Sequence, residues 1–113
     1  MSHMDLQRAR ATMVREWRAW AERVAEAARK TLPNAEIYVL GSAVRGDYTG
    51  GSDVDILVVS DAVPKGLLQR AETKSLMEEE AGLPSPNPIE IHLAKHSEAQ
   101  NYLSRAGKDI IKL

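Results

Sequence analysis

The chain has 113 residues, no cysteine, and 15 Lys+Arg against 16 Asp+Glu for a formal net charge of −1. This length suits one domain with a single core, and the missing thiols exclude disulfide scaffolds, thiolate zinc sites and cysteine nucleophiles. The near-neutral charge argues against a general binder of nucleic-acid backbone. No apolar run approaches the roughly 20 residues of a membrane span, and the N-terminus lacks a signal-peptide core. A cytoplasmic protein without membrane or direct nucleic-acid binding is expected.

Met1-Ser2-His3-Met4 reads as the remnant of an expression tag and is set aside with His3, leaving 5–113 as one domain. From Asp5 to about Lys30 the pattern is helical. Leu6, Met13, Trp17, Trp20, Val24 and Ala28 recur at spacings of three and four, and neither Gly nor Pro interrupts them. Leu32-Pro33-Asn34 ends that helix, because proline cannot continue it. Glu36–Leu40 is a short β-rich run that stops at Gly41-Ser42, and a single helical turn is expected just beyond. Asp53–Ser60 is nearly continuous in Val, Ile and Leu, the pattern of a strand covered on both faces.

Pro64–Ala81 reads as a second long helix with Leu67, Leu68, Ala71, Ser75 and Leu76 inward. The Pro-rich segment 82–88 reads as a loop. Ile89–Leu93 alternates cleanly, with Glu90 and His92 on one side. Ser97 is expected to cap a short helix ended by Gly107, and Asp109–Leu113 to form an edge strand. These elements define an α/β (α+β) domain: a small mixed sheet of about four strands with helices packed on it.

Asp53 and Asp55 require a physical reason. Two apart on a strand, they share a face with about 6–7 Å between their Cα atoms. Asp is depleted in strands, and a carboxylate pair opening an apolar strand calls for a counter-charge. A divalent metal supplies one, and paired ions can clamp both oxygens of a phosphoryl displacement. Glu90 becomes a third carboxylate if its strand neighbours that of Asp53, at about 5 Å laterally. There it could help hold the metal and assist deprotonation of an acceptor. Gly41 permits close backbone approach and Ser42 offers a hydroxyl and an amide, which suits a phosphate. A P-loop is excluded because no Gly-Lys-Ser/Thr is present, and an EF-hand because Ile56-Leu57-Val58-Val59 follows Asp55.

Gly41-Ser42-Ala43-Val44-Arg45-Gly46, followed by Ser52-Asp53-Val54-Asp55-Ile56-Leu57-Val58, resembles the signature of the minimal nucleotidyltransferases (MNT). These form a family of the DNA polymerase beta-like nucleotidyltransferase superfamily. The motif spans 41–59, and the order of elements extends the likeness over most of the chain. The resemblance implies that Gly41 and Ser42 bind the triphosphate, with Arg45 and Ser52 in the same nucleotide-binding set. Arg45 contacts phosphate or braces its loop by pairing with Asp47 or Asp53, and Ser52 caps or orients the Asp53 strand. Asp53 and Asp55 would hold two Mg²⁺ ions, and Glu90 matches a third carboxylate that is more often Asp.

The resemblance further implies ATP as substrate and a second protein as acceptor, since larger relatives carry an extra helical domain that this chain has no room for. Small members are often paired with a HEPN-domain toxin (higher eukaryotes and prokaryotes nucleotide-binding), which they neutralise by transferring AMP to a tyrosine. The expected function is therefore Mg-dependent protein adenylylation by an antitoxin. The alternatives are a non-catalytic module that neutralises the HEPN partner by occlusion, and a two-metal nuclease or phosphatase.

Overall fold

The computed structural model describes residues 3–47 and 53–113. The elements run α1 (His3–Arg15), α2 (Trp17–Thr31), β1 (Glu36–Leu40), α3 (Ser42–Arg45), β2 (Val54–Val59), α4 (Leu67–Ala81), β3 (Ile89–Ala94), α5 (His96–Ala106) and β4 (Ile110–Lys112). The strands form one four-stranded sheet in the order β3-β2-β1-β4. β2 pairs with β3 in parallel, and β1 pairs antiparallel with both β2 and β4. The α+β class, the single turn after β1 and the terminal edge strand agree with the sequence pattern.

Strand alternation sends side chains to two unlike faces. On one, Ile37, Val39, Ile56, Val58, Ile91 and Leu93 join a continuous core with Trp17, Ala21, Val24 and Ala28 of α2 and Met77 of α4. On the other, Leu40, Leu57, Val59 and Ala94 pack beneath Ala99, Tyr102, Leu103 and Ala106 of α5. β2 is thus buried on both faces, as its unbroken Val/Ile/Leu run requires; Ile56, Leu57 and Val58 are each 0% exposed.

The helices depart from expectation in particular ways. The first is two helices, not one: it breaks at Glu16. The Thr12 hydroxyl donates to the Arg8 carbonyl, a side-chain bond to the preceding turn of the kind that bends helices without Pro or Gly. Beyond the break Trp17 enters the core, whereas Leu6 stays largely outside it.

In α4 the inward stripe is Arg70, Thr73, Lys74, Met77 and Ala81, while Leu67, Leu68 and Leu76 are exposed. Arg70 fixes this rotation. Its guanidinium donates to the carbonyls of Pro64 and Leu93 and to the Glu98 carboxylate, pinning the first turns of α4 to β3 and α5.

The cap of α5 is Lys95, not Ser97. Its amide donates to the Glu98 carboxylate at 3.0 Å. The hydrogen bond from the same Arg70 lowers the Glu98 carboxyl from its ordinary value, with the Lys95 amide assisting.

Candidate active site

Three chain segments meet at one end of the sheet, on the face that α5 only partly covers. β1 ends there in Gly41, β2 begins there after Asp53, and β3 begins there just before Glu90. The register places Leu40 opposite Asp55 and Asp55 opposite Glu90, so these side chains form one row on one face. Adjacent strands lie about 4.8 Å apart, which makes Asp55 and Glu90 nearest lateral neighbours, as the strand pattern anticipated. Asp53 lies immediately before β2 and is exposed.

Gly41 has φ 80° and ψ −142°, a conformation that essentially only glycine adopts. A Cβ at this position would come within 3.7 Å of the Asp55 Oδ2, so the turn passes directly beside that carboxylate. The Gly41 amide donates to the Asp109 carbonyl at 3.0 Å, and the Val44 amide returns to the Gly41 carbonyl. α3 starts at Ser42 and is closed by Gly46, whose φ is positive.

Arg45 braces this loop, but through a different partner from those anticipated. It binds the Asp109 carboxylate at 2.7 Å and so ties α3 to the start of β4, rather than to Asp47 or Asp53. The reason lies in the sheet order: β4 pairs with β1, and Leu40 sits opposite Ile110. Asp109 is therefore delivered beside Gly41 from the far end of the chain. Ser52 lies outside the described residues.

Each carboxylate has a distinct environment. Asp53 is ion-paired with Arg10, which reaches it from α1. The Asp55 Oδ1 lies 3.1 Å from the His92 Nε2 on the neighbouring strand. His92 in turn meets the Tyr102 ring, with 5.5 Å between centroids and planes at 47°. Glu90 is exposed and has no hydrogen bond or ion pair among the described residues.

A donor set of three carboxylates on one sheet end fits hard divalent cations, which take oxygen ligands and keep open positions for water and phosphate. As the side chains stand, no group of three His, Cys, Asp or Glu among the described residues converges on a point. Arg10 engages the Asp53 carboxylate and His92 the Asp55 carboxylate.

Two clefts flank this row. One, of about 280 Å³, is lined by Leu40, Gly41, Asp55, His92, Tyr102 and Arg105. The other, of about 270 Å³, opens along β3 past Glu90 and His92 toward Lys74. His92 and Tyr102 line both of them.

The fold brings the sequence-derived candidates Gly41, Ser42, Asp53, Asp55 and Glu90 to one end of the sheet. Arg10, Asp109, Tyr102 and Arg105 arrive beside them through long-range contacts that leave no local mark in the sequence. Glu78, Glu79 and Glu80 lie elsewhere, at the end of α4.

A mixed four-stranded sheet with a glycine turn and a row of carboxylates at one end defines the architecture of a nucleotidyl-transfer domain. The comparisons place the chain within that class. The model of the nucleotidyltransferase domain family matches residues 21–109, which contain Gly41, Ser42, Asp53, Asp55 and Glu90. The chain belongs to this family, and its general activity is nucleotidyl transfer.

A crystal structure described as a candidate nucleotidyltransferase is 28% identical, with a TM-score of 0.63, over 81% of this chain and 95% of that one. A second, also described as a candidate nucleotidyltransferase, comes from Sulfolobus solfataricus. It matches at 23% identity and a TM-score of 0.60 over 90% of this chain and 84% of that one, and shows the shared fold. No curated protein matches the chain. Among the described residues no helix is long and apolar enough to cross a membrane.

Proposed function

We propose that the chain is a minimal nucleotidyltransferase that transfers AMP from ATP, with Mg²⁺, to a hydroxyl on a partner protein in the cytoplasm. By the family resemblance, the partner is a HEPN-domain toxin and this chain its antitoxin. The observation that carries the reading is the row Gly41–Asp55–Glu90, a glycine turn suited to phosphate next to paired carboxylates from neighbouring strands.

In this reading Gly41 lets the triphosphate approach the turn and Ser42 grips it by backbone amide and hydroxyl, while Arg45, tied to Asp109, holds their loop in place. Asp53, Asp55 and Glu90 would hold Mg²⁺, which supplies neutralisation of the charge developing on the transferred phosphoryl. The acceptor oxygen attacks the α-phosphorus, the bond to the α–β bridging oxygen breaks, and pyrophosphate leaves. Glu90, which lines the second cleft and has no partner among the described residues, accepts the acceptor's proton. His92 orients the Asp55 carboxylate from the adjacent strand.

The test is incubation of the purified pair with Mg-ATP, followed by mass spectrometry of the partner and assay of pyrophosphate. Addition of one AMP per acceptor site, absent with Asp55→Asn, is the expected result. One observation favours a second reading, neutralisation by occlusion: Arg10 and His92 already engage two of the carboxylates. A partner that is neutralised yet unmodified would select it.

A further inference from the structure

The first cleft contains a cation and an aromatic ring that the phosphate grip does not use. Tyr102 and Arg105 stand one turn apart on α5, and both line the same space as Gly41 and Asp55. Arg105 is exposed and has no hydrogen bond or ion pair among the described residues. Other arginines near the site are committed: Arg45 to Asp109, Arg10 to Asp53 and Arg70 to Glu98. The Tyr102 ring is half-buried, steadied by His92 on one side. Leu40 and Ala106 complete an apolar lining. A guanidinium with no partner among the described residues, an aromatic ring and a glycine turn line one cleft together and match an anionic, ring-bearing ligand.

We infer that this cleft is the nucleoside subsite, in which Tyr102 carries the base or sugar by ring contact and Arg105 binds the phosphates of the same nucleotide. The inference rests on the nucleotidyltransferase reading of the site and extends it to residues outside the Gly-Ser and Asp-x-Asp segments. Arginine suits the task because its planar fork can bond two phosphate oxygens at once. Aromatic stacking accepts any base, so the subsite gives affinity without strong base selectivity. The adjoining cleft beside Glu90, which shares His92 and Tyr102 in its lining, is then left for the acceptor.

The test is calorimetric titration of a non-hydrolysable ATP analogue with Mg²⁺ into the full chain and its variants, with thermal unfolding as a check on folding. Arg105→Ala is expected to weaken binding about tenfold or more. Arg105→Lys should recover part of the loss, because a point charge replaces the fork. Tyr102→Phe should bind like the parent, whereas Tyr102→Leu, which keeps apolar bulk, should lose about tenfold. Lys108→Ala, an exposed cation in the loop after α5, is the control and should change nothing.

Parent-like affinity in both Arg105→Ala and Tyr102→Leu overturns the subsite while leaving the nucleotidyltransferase reading intact. If Asp55→Asn abolishes binding while both α5 variants keep it, the subsite alone fails. If the parent chain itself binds no nucleotide, the functional reading falls and the subsite falls with it.

Discussion

The two faces of the sheet are built to opposite ends. The face toward α2 and α4 is apolar throughout, with Val24, Ile37, Val39, Ile56 and Val58 at 0% exposure. The face toward α5 is divided. One end is closed by Leu57, Val59, Ala94 and Ala99, and the other carries Asp55, Glu90 and His92 in reach of solvent, with Asp53 just before the strand. The closed face can pay for the open one, because a carboxylate row at the end of a strand is tolerated only where the same strand is anchored on its reverse side. β2 makes the point residue by residue: Val54, Ile56 and Val58 anchor it while Asp55 is left to chemistry.

The largest expected effect tests the open face. Asp55→Asn should lower transfer by about a thousandfold, the scale on which removing a key charge-stabilising group acts. Its urea midpoint should stay near that of the parent, because Asp55 is partly exposed and its partner His92 is not left buried. A parent-like rate would remove Asp55 from the site. The converse applies to the closed face. Ile56→Ala, one residue along the same strand, should cost about 3–4 kcal/mol in stability, read as a lower urea midpoint. The contrast collapses if Asp55→Asn destabilises as much as Ile56→Ala.

The divided face was partly legible in the sequence. Asp53 and Asp55 announced themselves because carboxylates are out of place in a Val/Ile/Leu run, and Glu90 because alternation put it opposite Ile89 and Ile91. Gly41 carried weight through its spacing to them. The α4 face was misjudged for a physical reason. Leu67, Leu68 and Leu76 form the more hydrophobic stripe, yet Arg70 pins the helix with another stripe inward through bonds to Leu93 and Glu98, some 23 and 28 residues away. The bracing of Arg45 was foreseen and its partner was not, since Asp109 reaches Gly41 only through the β1–β4 pairing. Patterns of period two and 3.6 reveal what a residue does within its element. They are silent on which distant side chain will meet it.

Two smaller effects probe the borders of the open end. Asp109→Asn should loosen α3 while costing only about 0.5–1 kcal/mol, because the Arg45 side chain is half exposed to solvent. Nucleotide affinity should fall by more than that loss of stability would suggest, as the loop beside Gly41 loses its tether. Equal affinity in parent and variant would reduce Arg45 to surface decoration. Arg10→Ala should raise the affinity for Mn²⁺, measured by calorimetry without nucleotide, since Arg10 and a metal would compete for the Asp53 carboxylate. An unchanged or weaker affinity would show that Arg10 supports the carboxylate rather than competing for it.

The smallest effect lies at the closed end, where α5 begins. His96 sits between the Asp61 and Glu36 carboxylates, with its Nδ1 3.0 Å from the Asp61 Oδ1 and its Nε2 3.5 Å from the Glu36 Oε2. The hydrogen bond with Asp61 lifts the imidazole above its ordinary 6.5, and the two acidic charges add to it. The same bond from His96 lowers Asp61 below 3.8, with a small contribution from the Lys95 charge. A raised histidine contributes stability that is fully present below about 6.5 and is lost as the pH climbs through its folded value. A lowered carboxylate contributes above 3.8 and is lost as the pH falls through its folded value. The pair therefore supports the fold most between these limits. Because both side chains are exposed, the gain is screened by solvent and salt. The urea midpoint should fall slightly from pH 6 to pH 8, and Asp61→Asn should flatten that difference. The comparison with Asp61→Asn isolates the His96–Asp61 pair. Were the slope the same in both proteins, the His96–Asp61 pair would not be its source, and the pH sensitivity would not belong to the start of α5.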